Sequence, residues 1–303
     1  GNAEMGVEHA NSEVAMRVQR KKWDEVDSRQ RGLGTQRADM GRWEEVIRRL
    51  IEPKHKVKIG VIGKYIELQD AYKSVYEAVV HAGGANDCGV EVVRVDSEDI
   101  EKNGGINRLN GLSGVLVPGG FGERGVEGKI LAAKYAREND VPYLGLCLGM
   151  QIASIEFARH ALGLEGAHSA EFEPATPHPI IALLDEQQQV TEKGGTMRLG
   201  AQPCKLKSGS RAAELYGADE VSERHRHRYE FNNAYREQFE KAGFVFSGTS
   251  PDGGLVELIE LKNHPFYMAS QYHPEFLSKP IKAHPLFAGF IKAAHEHAQA
   301  SGK

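Results

Sequence analysis

The sequence predicts an α/β fold with a mostly parallel central sheet and helices on both faces. The first observation is that, from residue 56, short apolar segments of strand type alternate with longer segments of helical periodicity. The second is an apolar strand that stops at Cys147 and restarts at once with helical spacing. Ligands of such folds bind at the carboxyl ends of the parallel strands, so we expect the functional site there.

The chain begins with a stretch that has few apolar anchors. Residues 1–36 are polar and charge-rich, and we interpret them as an arm, linker or remnant that precedes the domain. A nucleic-acid-binding tail is the alternative, which the interleaved acidic residues disfavour. The predicted domain covers residues 37–303 and opens with a docking helix over 38–50, where apolar residues recur at helical spacing before Pro53.

The elements after the docking helix follow from the same periodicity. Strands are predicted at 57–62, 90–95, 114–117 and 142–146, and helices at 71–82, 100–109, 128–138 and 148–162, of which 100–109 has the weakest pattern. At the end of the first strand, Gly63 and Lys64 lack the spacing of a phosphate loop, so we interpret them as a turn. We therefore expect no ATP site in this chain.

Composition and charge exclude several classes of function. The chain has 303 residues, 40% hydrophobic and 26% charged, with a formal net charge of −4. This balance indicates neither a nucleic-acid partner nor an acidic membrane surface. The three widely separated cysteines form neither a disulfide framework nor a zinc motif, which favours a reducing compartment. With no apolar run long enough to span a membrane and no signal peptide, we expect a cytoplasmic protein.

Cys147 lies at a predicted nucleophile elbow. Gly145 and Gly149 flank it in a G-x-C-x-G pattern, at positions where a side chain would collide with a strained strand-to-helix turn. A thiol at a helix N-terminus also gains from the partial positive charge there, which favours the thiolate. The alternative is a buried structural cysteine beside two packing glycines.

A glycine-rich loop precedes the elbow by one strand. Residues 117–125 contain four glycines directly after a buried strand, so their backbone N–H groups can point into a concave site. Pro-Gly-Gly is also a common turn, and the functional interpretation depends on the position of the loop one strand before the elbow. We predict that the N–H groups of Gly120 and Leu148 form the two halves of an oxyanion hole over Cys147.

A histidine and a carboxylate follow far along the chain. In an extended segment over 268–276, His273 and Glu275 would project to the same face, with Pro274 stiffening the backbone between them. A Cys-His-acid triad requires such a pair, since the imidazole moves protons and the carboxylate orients it. The alternative is a surface strand end with a chance His and Glu, and sequence spacing does not show that the pair meets Cys147.

Three segments carry a family resemblance. P-G-G-F-G at 118–122, G-L-C-L-G-M-Q at 145–151 and Q-Y-H-P-E at 271–275 resemble the class I, triad-type glutamine amidotransferases. Further segments resemble the glutaminase domains of CTP synthases in particular, at 63–68, 70–74, 195–200, 223–230 and 284–287. The resemblance runs from about residue 40 to the C-terminus and implies a class I glutamine amidotransferase-like (flavodoxin-like) fold.

The resemblance implies a role for each matching residue. Cys147 is the implied nucleophile, His273 the acid and base, and Glu275 its orienting partner. The glutamine substrate is implied to contact a set that includes both oxyanion donors: Gly120, Leu148, Gly149, Met150, Gln151, Glu171 and Arg228. The last two would bind the ammonium and carboxylate of the amino-acid end, as their charges suit. Without the resemblance, both would be interpreted as surface residues.

The implied reaction is the hydrolysis of L-glutamine to supply ammonia. In the family the ammonia passes to a synthetase domain, where ATP, Mg and UTP yield CTP, and GTP stimulates glutamine hydrolysis. No cofactor or metal is expected in this chain, and His225 and His227 lack further ligands at suitable spacing. The synthetase half normally comes first and residues 1–36 do not resemble it, so we expect that this chain alone does not complete CTP formation. A homo-oligomer stays open, since that half takes part in assembly.

Two other functions also remain open. A γ-glutamyl hydrolase or another cysteine hydrolase on the same scaffold would share the elbow, but should lack the segment at 223–230. A regulatory module without catalysis would keep the fold and lose the activity. The stretch over 180–196 has fewer acidic residues than the family suggests, which predicts an altered lid.

Overall fold

The computed structural model describes residues 41–64, 69–102, 104–183 and 197–302. Several sequence-based predictions lie wholly or partly outside this range. They include the polar arm at 1–36, the start of the docking helix at 38–50, part of the motifs at 63–68 and 195–200, and most of the altered lid at 180–196.

The described residues form eight α-helices and twelve strands. In chain order they are α1 Gly41–Ile51, β1 His55–Gly63, α2 Lys73–Ala85, β2 Cys88–Asp96, α3 Ser97–Glu101, β3 Gly114–Val117, α4 Val126–Glu138, β4 Tyr143–Leu146, α5 Leu148–His160, β5 His168–Ser169, β6 Pro179–Ala182, β7 Arg198–Leu206, α6 Arg211–Tyr216, β8 Glu220–His227, β9 Glu230–Phe231, α7 Arg236–Lys241, β10 Phe244–Thr249, β11 Val256–Leu261, β12 Tyr267–Ser270 and α8 Pro285–Ala300. Short 3₁₀ turns lie at Gln69–Tyr72, Gly105–Leu109, Asn233–Tyr235 and Pro274–Leu277.

The central sheet has nine strands in the order β2-β1-β3-β4-β12-β11-β10-β7-β8. The first five are mutually parallel, and from β12 onward each neighbour pairs antiparallel. A second, three-stranded sheet has the order β5-β6-β9. The predicted α/β class is confirmed, and the antiparallel extension comes from the part of the chain after the elbow.

Side chains alternate between the two faces of the parallel strands, and each face carries its own core. On one face α4 and α5 pack over Tyr143. On the other face, α2 and α8 pack over Leu144 and Leu146 of the same strand. This alternation follows from the two-residue period of a strand. It buries β4 on both sides, as its unbroken apolar sequence predicts.

The predicted helix over 100–109 is wrong. The chain instead forms α3, whose first turn is capped because the Asp96 carboxylate accepts a hydrogen bond from the N–H of Glu98 at 2.9 Å, and then a separate 3₁₀ turn. Gly104 lies between them with φ 76°, a left-handed conformation that interrupts a helix. At Gly105 a Cβ would lie 1.9 Å from the carbonyl oxygen of Asp99, so this close approach also requires glycine.

The docking helix is present as α1 and packs beside α2. Ile47 is buried, and Leu50 lies against Gly84 of α2, where a Cβ would approach its side chain to 3.3 Å. Arg48 donates to the Asp87 carboxylate at 2.9 Å, which ties the helix to the turn before β2. In the parts of the chain that the structure describes, no helix combines the length and apolar character needed to cross a membrane.

Candidate active site

The elbow at Cys147 has the strained backbone that the sequence predicts. Cys147 joins β4 to α5 with φ 50° and ψ −100°, which L-residues rarely adopt. A Cβ on Gly145 would lie 2.6 Å from the Gly149 carbonyl oxygen, and one on Gly149 would lie 2.2 Å from the Val117 carbonyl oxygen. Both glycines are therefore required by close backbone contacts. They are also what lets β4 turn sharply into α5.

His273 and Glu275 meet, although the predicted extended segment is wrong. Strand β12 ends at Ser270, and His273, with φ −112° and ψ 81°, leads into the 3₁₀ turn that starts at Pro274. Proline at the first position of this turn fixes φ and needs no hydrogen-bond acceptor. The turn brings Nδ1 of His273 within 2.8 Å of Oε1 of Glu275. The predicted pair thus forms by a tighter backbone route than an extended strand.

The sheet brings Cys147 and the His-Glu pair to the same edge. Strands β4 and β12 are parallel neighbours, with Leu146 opposite Ser270, so their carboxyl ends deliver Cys147 and His273 side by side. Both touch Gly119, where a Cβ would lie 2.8 Å from Cε1 of His273 and 3.5 Å from Cβ of Cys147. A cavity of about 430 Å³ is lined by Cys147, His273 and Glu275 together.

The surroundings of His273 favour its charged form. Burial alone would lower the pKa of His273, but the Cys147 sulfur and the Glu275 carboxylate outweigh it through hydrogen bonding and charge, and raise the pKa to about 10. The other ring nitrogen, Nε2, is buried and has no hydrogen-bond partner of ordinary geometry among the described residues. At neutral pH His273 is therefore charged, and its Nδ1–H is directed to the Glu275 carboxylate.

A second, narrower cavity of about 40 Å³ opens on the other side of Cys147. Five of the predicted substrate-binding residues line it, namely Gly120, Leu148, Gln151, Glu171 and Arg228. The structure does not place Gly149 and Met150 in its wall. The side chain of Met150 is fully buried in the core, and Gly149 packs against β3, because both lie on the inner side of the first turn of α5. For these two residues the substrate contact stays a prediction that this cavity does not support.

Opposite charges lie at this cavity as the sequence predicts. Glu171 is exposed at its rim, while Arg228 is partly buried and its Nε is a buried donor without a partner in the described chain. Gln151 donates to the Tyr229 carbonyl oxygen at 3.3 Å, which fixes the wall between them. The charges at this cavity therefore suit a ligand that carries both an ammonium and a carboxylate group.

The two predicted oxyanion donors lie on either side of the same cavity. The backbone N–H groups of Gly120 and Leu148 donate to no other backbone group within the described residues. A Cβ on Gly120 would approach Leu148 Cδ2 only to 3.5 Å, so this glycine is not sterically required in the way that Gly119 is. Both N–H groups are available to a developing negative charge.

Sequence reasoning missed two residues that touch the triad. Gly119 is the glycine of the loop that lies closest to His273. The two adjacent glycines at 119–120 were a signal in the sequence that one of them lies against the triad. Gln271 is fully buried, with Nε2 3.7 Å from Sγ of Cys147. It lies in the Q-Y-H-P-E segment, but an uncharged side chain gave no chemical signal of its own.

The remaining cysteines lie in different surroundings. Burial raises the pKa of the Cys88 thiol to about 11, and burial also raises the pKa of the Cys204 thiol. Neither thiol is therefore favoured as a thiolate at neutral pH. Within the described ranges, no group of three or more His, Cys, Asp or Glu side chains is arranged to hold a metal ion.

Comparison with known proteins agrees with this geometry. The family profile for class-I glutamine amidotransferases matches residues 67–293. The CTP synthase of Halalkalibacterium halodurans is 55% identical over 282 residues, 93% of this chain and 53% of that protein. The CTP synthase of Rubrobacter xylanophilus is 58% identical over 273 residues, 90% of this chain and 49% of that protein. The chain spans about half the length of these curated relatives.

A solved structure is similar as well. The glutaminase domain of Trypanosoma brucei CTPS, with bound acivicin, is 38% identical, with a TM-score of 0.75. The match covers 79% of this chain and 94% of that domain. The resemblance read from the sequence is thereby confirmed by profile, by relatives and by fold.

Proposed function

Because this chain belongs to the class-I glutamine amidotransferases, as a glutaminase domain of the CTP synthase type, we propose that Cys147, His273 and Glu275 carry out the hydrolysis of L-glutamine to glutamate and ammonia. One observation carries the proposal. Cys147 sits at a strained elbow and shares a cavity with a His-Glu pair, at the carboxyl ends of two neighbouring parallel strands.

Acylation is the first half of the proposed reaction. The thiolate of Cys147 attacks the side-chain amide carbon of glutamine, a carbon–sulfur bond forms, and the carbonyl electron pair moves onto oxygen. The N–H groups of Gly120 and Leu148 stabilise this oxyanion. The oxyanion then collapses, the carbon–nitrogen bond breaks, and protonated His273 gives its Nε2 proton to the departing nitrogen, which leaves as ammonia.

Deacylation returns the enzyme to its starting state. His273, now neutral, takes a proton from water while the water oxygen attacks the γ-glutamyl thioester. The second oxyanion forms at the same donors and collapses with cleavage of the carbon–sulfur bond, so the electron pair returns to Cys147. Glu275 stays ionised and holds Nδ1 of His273 in both steps, at the 2.8 Å separation of the resting structure.

Charge at the narrow cavity supports recognition of the amino-acid end of glutamine. In the proposal Arg228 binds the substrate carboxylate and Glu171 binds its ammonium group, while Gln151 helps to form the wall. The cavity is small in this structure, so we expect side chains in its wall to move when glutamine enters. The partly buried position of Arg228 suits a guanidinium that exchanges water for a carboxylate.

The fate of the ammonia is proposed from the relatives' names. We propose that it passes to a synthetase partner, where ATP, Mg and UTP yield CTP, with GTP as activator. Cytoplasmic location and assembly into a homo-oligomer belong to the same proposal. Alkylation and activity measurements on the 303-residue chain test only the first step, glutamine hydrolysis. Addition of a separately expressed synthetase half, with its nucleotides, tests the rest.

Labelling with an electrophilic glutamine analogue is the direct test. Acivicin, the compound bound in the T. brucei domain, is the first probe to use. We expect one adduct at Cys147 by mass spectrometry, competed by L-glutamine, and no adduct in Cys147→Ala. Ammonia release from glutamine should be abolished in the same variant. Labelling at Cys88 or Cys204 in place of Cys147 would contradict the proposal.

The other two functions predict different results. A γ-glutamyl hydrolase should prefer γ-linked peptides over free glutamine, and the relatives' names favour the glutaminase. A regulatory module without catalysis should release no ammonia from glutamine, with or without the synthetase half. Ammonia release that depends on Cys147 would exclude the regulatory module.

A further inference from the structure

Gln271 lies beside the nucleophile in a position that the proposed mechanism does not use. It follows β12 directly, its side chain is fully buried, and its backbone N–H donates to the Glu257 carbonyl oxygen at 2.8 Å. Side-chain Nε2 lies 3.7 Å from Sγ of Cys147, a distance suited to a donor facing the larger sulfur atom. Backbone and side chain are thus both held, with the amide directed at the thiol.

The chemistry of the pair decides which end of the amide faces the sulfur. A thiolate is an acceptor, so the NH₂ group is favoured there and the amide oxygen would repel it. Oε1 of Gln271 is buried and has no hydrogen-bond partner among the described residues. Burying an amide whose oxygen has no hydrogen-bond partner is energetically unfavourable. The hydrogen bond from Nε2 of Gln271 to Sγ of Cys147 is the side-chain contact that offsets this cost.

We propose that Gln271 is a catalytic residue, whose Nε2–H donates to the Cys147 thiolate and stabilises it together with protonated His273. The thiolate is the attacking group of acylation and the leaving group of deacylation, so both steps use this contact. Unlike His273, an amide does not titrate and donates at every working pH. The catalytic consequence rests on the proposed glutaminase function, whereas the effect on the thiolate does not.

Other charged groups also act on the sulfur, and the test must hold them constant. His273 and Glu275 belong to the proposed triad and line the same cavity as Cys147. On the narrow-cavity side the charged or titratable wall residues are Glu171, His227, Arg228 and Tyr229. On the wider-cavity side, besides the triad, they are Asp70, Tyr72, Lys73 and Arg226. Substitution of Gln271 by a neutral residue leaves all of these in place.

Alkylation of the thiol measures the contact without requiring turnover. The 303-residue chain is treated with iodoacetamide at a series of pH values from about 5 to about 9, and the rate at Cys147 is followed by mass spectrometry. Gln271→Leu should react about tenfold more slowly at the acid end, where the thiolate fraction limits the rate. At the alkaline end it should reach the plateau of the unsubstituted protein.

Two further variants complete the design. Gln271→Glu keeps the size and shape of the side chain and adds a negative charge beside the sulfur, so its profile should shift further in the same direction. It also carries the test if Gln271→Leu does not fold. Gln299→Leu changes an exposed glutamine on α8, and its profile should superimpose on that of the unsubstituted protein.

The outcomes separate this inference from the proposed function. Identical profiles for Gln271→Leu and the unsubstituted protein overturn the role of Gln271. An alkylation rate of Gln271→Leu that is lower by the same factor at every pH also overturns the role of Gln271, because that pattern indicates a structural defect. Ammonia release from glutamine is measured on the same samples. A shifted profile without any glutaminase activity overturns the proposed function and leaves the thiolate contact standing.

Discussion

His273 has a clear electrostatic effect at the candidate site, because its surroundings raise its pKa. Its pKa of about 10 means that the imidazole is charged at neutral pH, with the Cys147 sulfur and the Glu275 carboxylate as its neighbours. Because this folded-state pKa exceeds the usual 6.5, the stabilisation from charging His273 is complete below pH 6.5 and is lost as the pH rises through about 10.

Removing the sulfur should reveal how much of this pKa depends on Cys147. In Cys147→Ala we expect the pKa of His273 to fall clearly below its value in the unsubstituted protein, because hydrogen bonding and charge from the sulfur are both lost while burial remains. Titration of the His273 ring by NMR measures the change. Ser154→Ala, in the buried part of α5, is the control and should leave the titration unaltered. An unchanged pKa in Cys147→Ala would show that Glu275 alone sets it.

At the same scale, the parts of the site that the sequence predicted are those with a local steric or chemical signature. The elbow was predictable because a strained turn tolerates only glycine at 145 and 149, and glycine is visible in the sequence. Gln271 was not predictable, since its role depends on which buried atom faces Sγ of Cys147. That proximity arises from pairing between β4 and β12, which are distant in the sequence.

At the scale of elements, the parallel strands and the other helices before residue 162 were predicted to within a few residues, whereas the helix over 100–109 and much of the later half were not. Strand β7 alternates between exposed residues and residues that are partly or fully buried, and it is stabilised by pairing with β8 and β10. Such antiparallel strands at a sheet margin have no continuous apolar sequence to reveal them. Along β8, which ends at His227, the exposed side chains of Arg224 and Arg226 alternate with the buried His225 and His227.

A buried hydrogen-bond network next to His273 joins α6, β8 and the start of α8. The hydroxyl of Tyr216 at the end of α6 lies 2.9 Å from that of Tyr272 and donates to the Glu223 carboxylate of β8 at 2.8 Å. His284, before α8, reaches the same carboxylate at 2.8 Å. Because Tyr272 directly precedes His273, the network holds in place the segment that contains His273.

Tyr216→Phe should weaken this network without changing the triad. The variant leaves the buried Tyr272 hydroxyl without its partner, so we expect a loss of about 1–3 kcal/mol in the free energy of unfolding and a reduced kcat for ammonia release. Denaturant unfolding and glutaminase assays measure both. Tyr135→Phe is the matched control, because its hydroxyl makes only an exposed 3.4 Å contact with Asn110, and it should change little. Equal stability of the two variants would contradict the assigned network.

For the molecule as a whole, the candidate site lies where the central sheet changes from parallel to antiparallel pairing. Strand β12 is parallel to β4 on one side and antiparallel to β11 on the other. The parallel half supplies Cys147 and the glycine-rich loop, while the antiparallel extension supplies Arg228 just beyond the end of β8. Neither half alone would contain a complete site, so folding of the whole sheet is needed for activity.

One buried charge should set part of the pH dependence of the whole fold. Lys129 of α4 is buried, and burial together with the charge of Lys64 lowers its pKa to about 8, against the opposing charges of Glu101 and Asp96. The unfolded chain, with an ordinary lysine pKa near 10.5, binds this proton more tightly. Lys129 therefore destabilises the fold below pH 8, and the penalty disappears as the pH rises toward 10.5.

Lys129→Met should consequently stabilise the protein at neutral pH. We expect a gain of about 3 kcal/mol in the free energy of unfolding near pH 7, from a difference of roughly 2.5 pKa units, and a much smaller gain near pH 10. Denaturant titrations at both pH values measure it, with Lys292→Met on the exposed side of α8 as the control that should show no such pH dependence. A gain that is equal at the two pH values would mean that packing of the methionine, and not loss of the charge, is responsible.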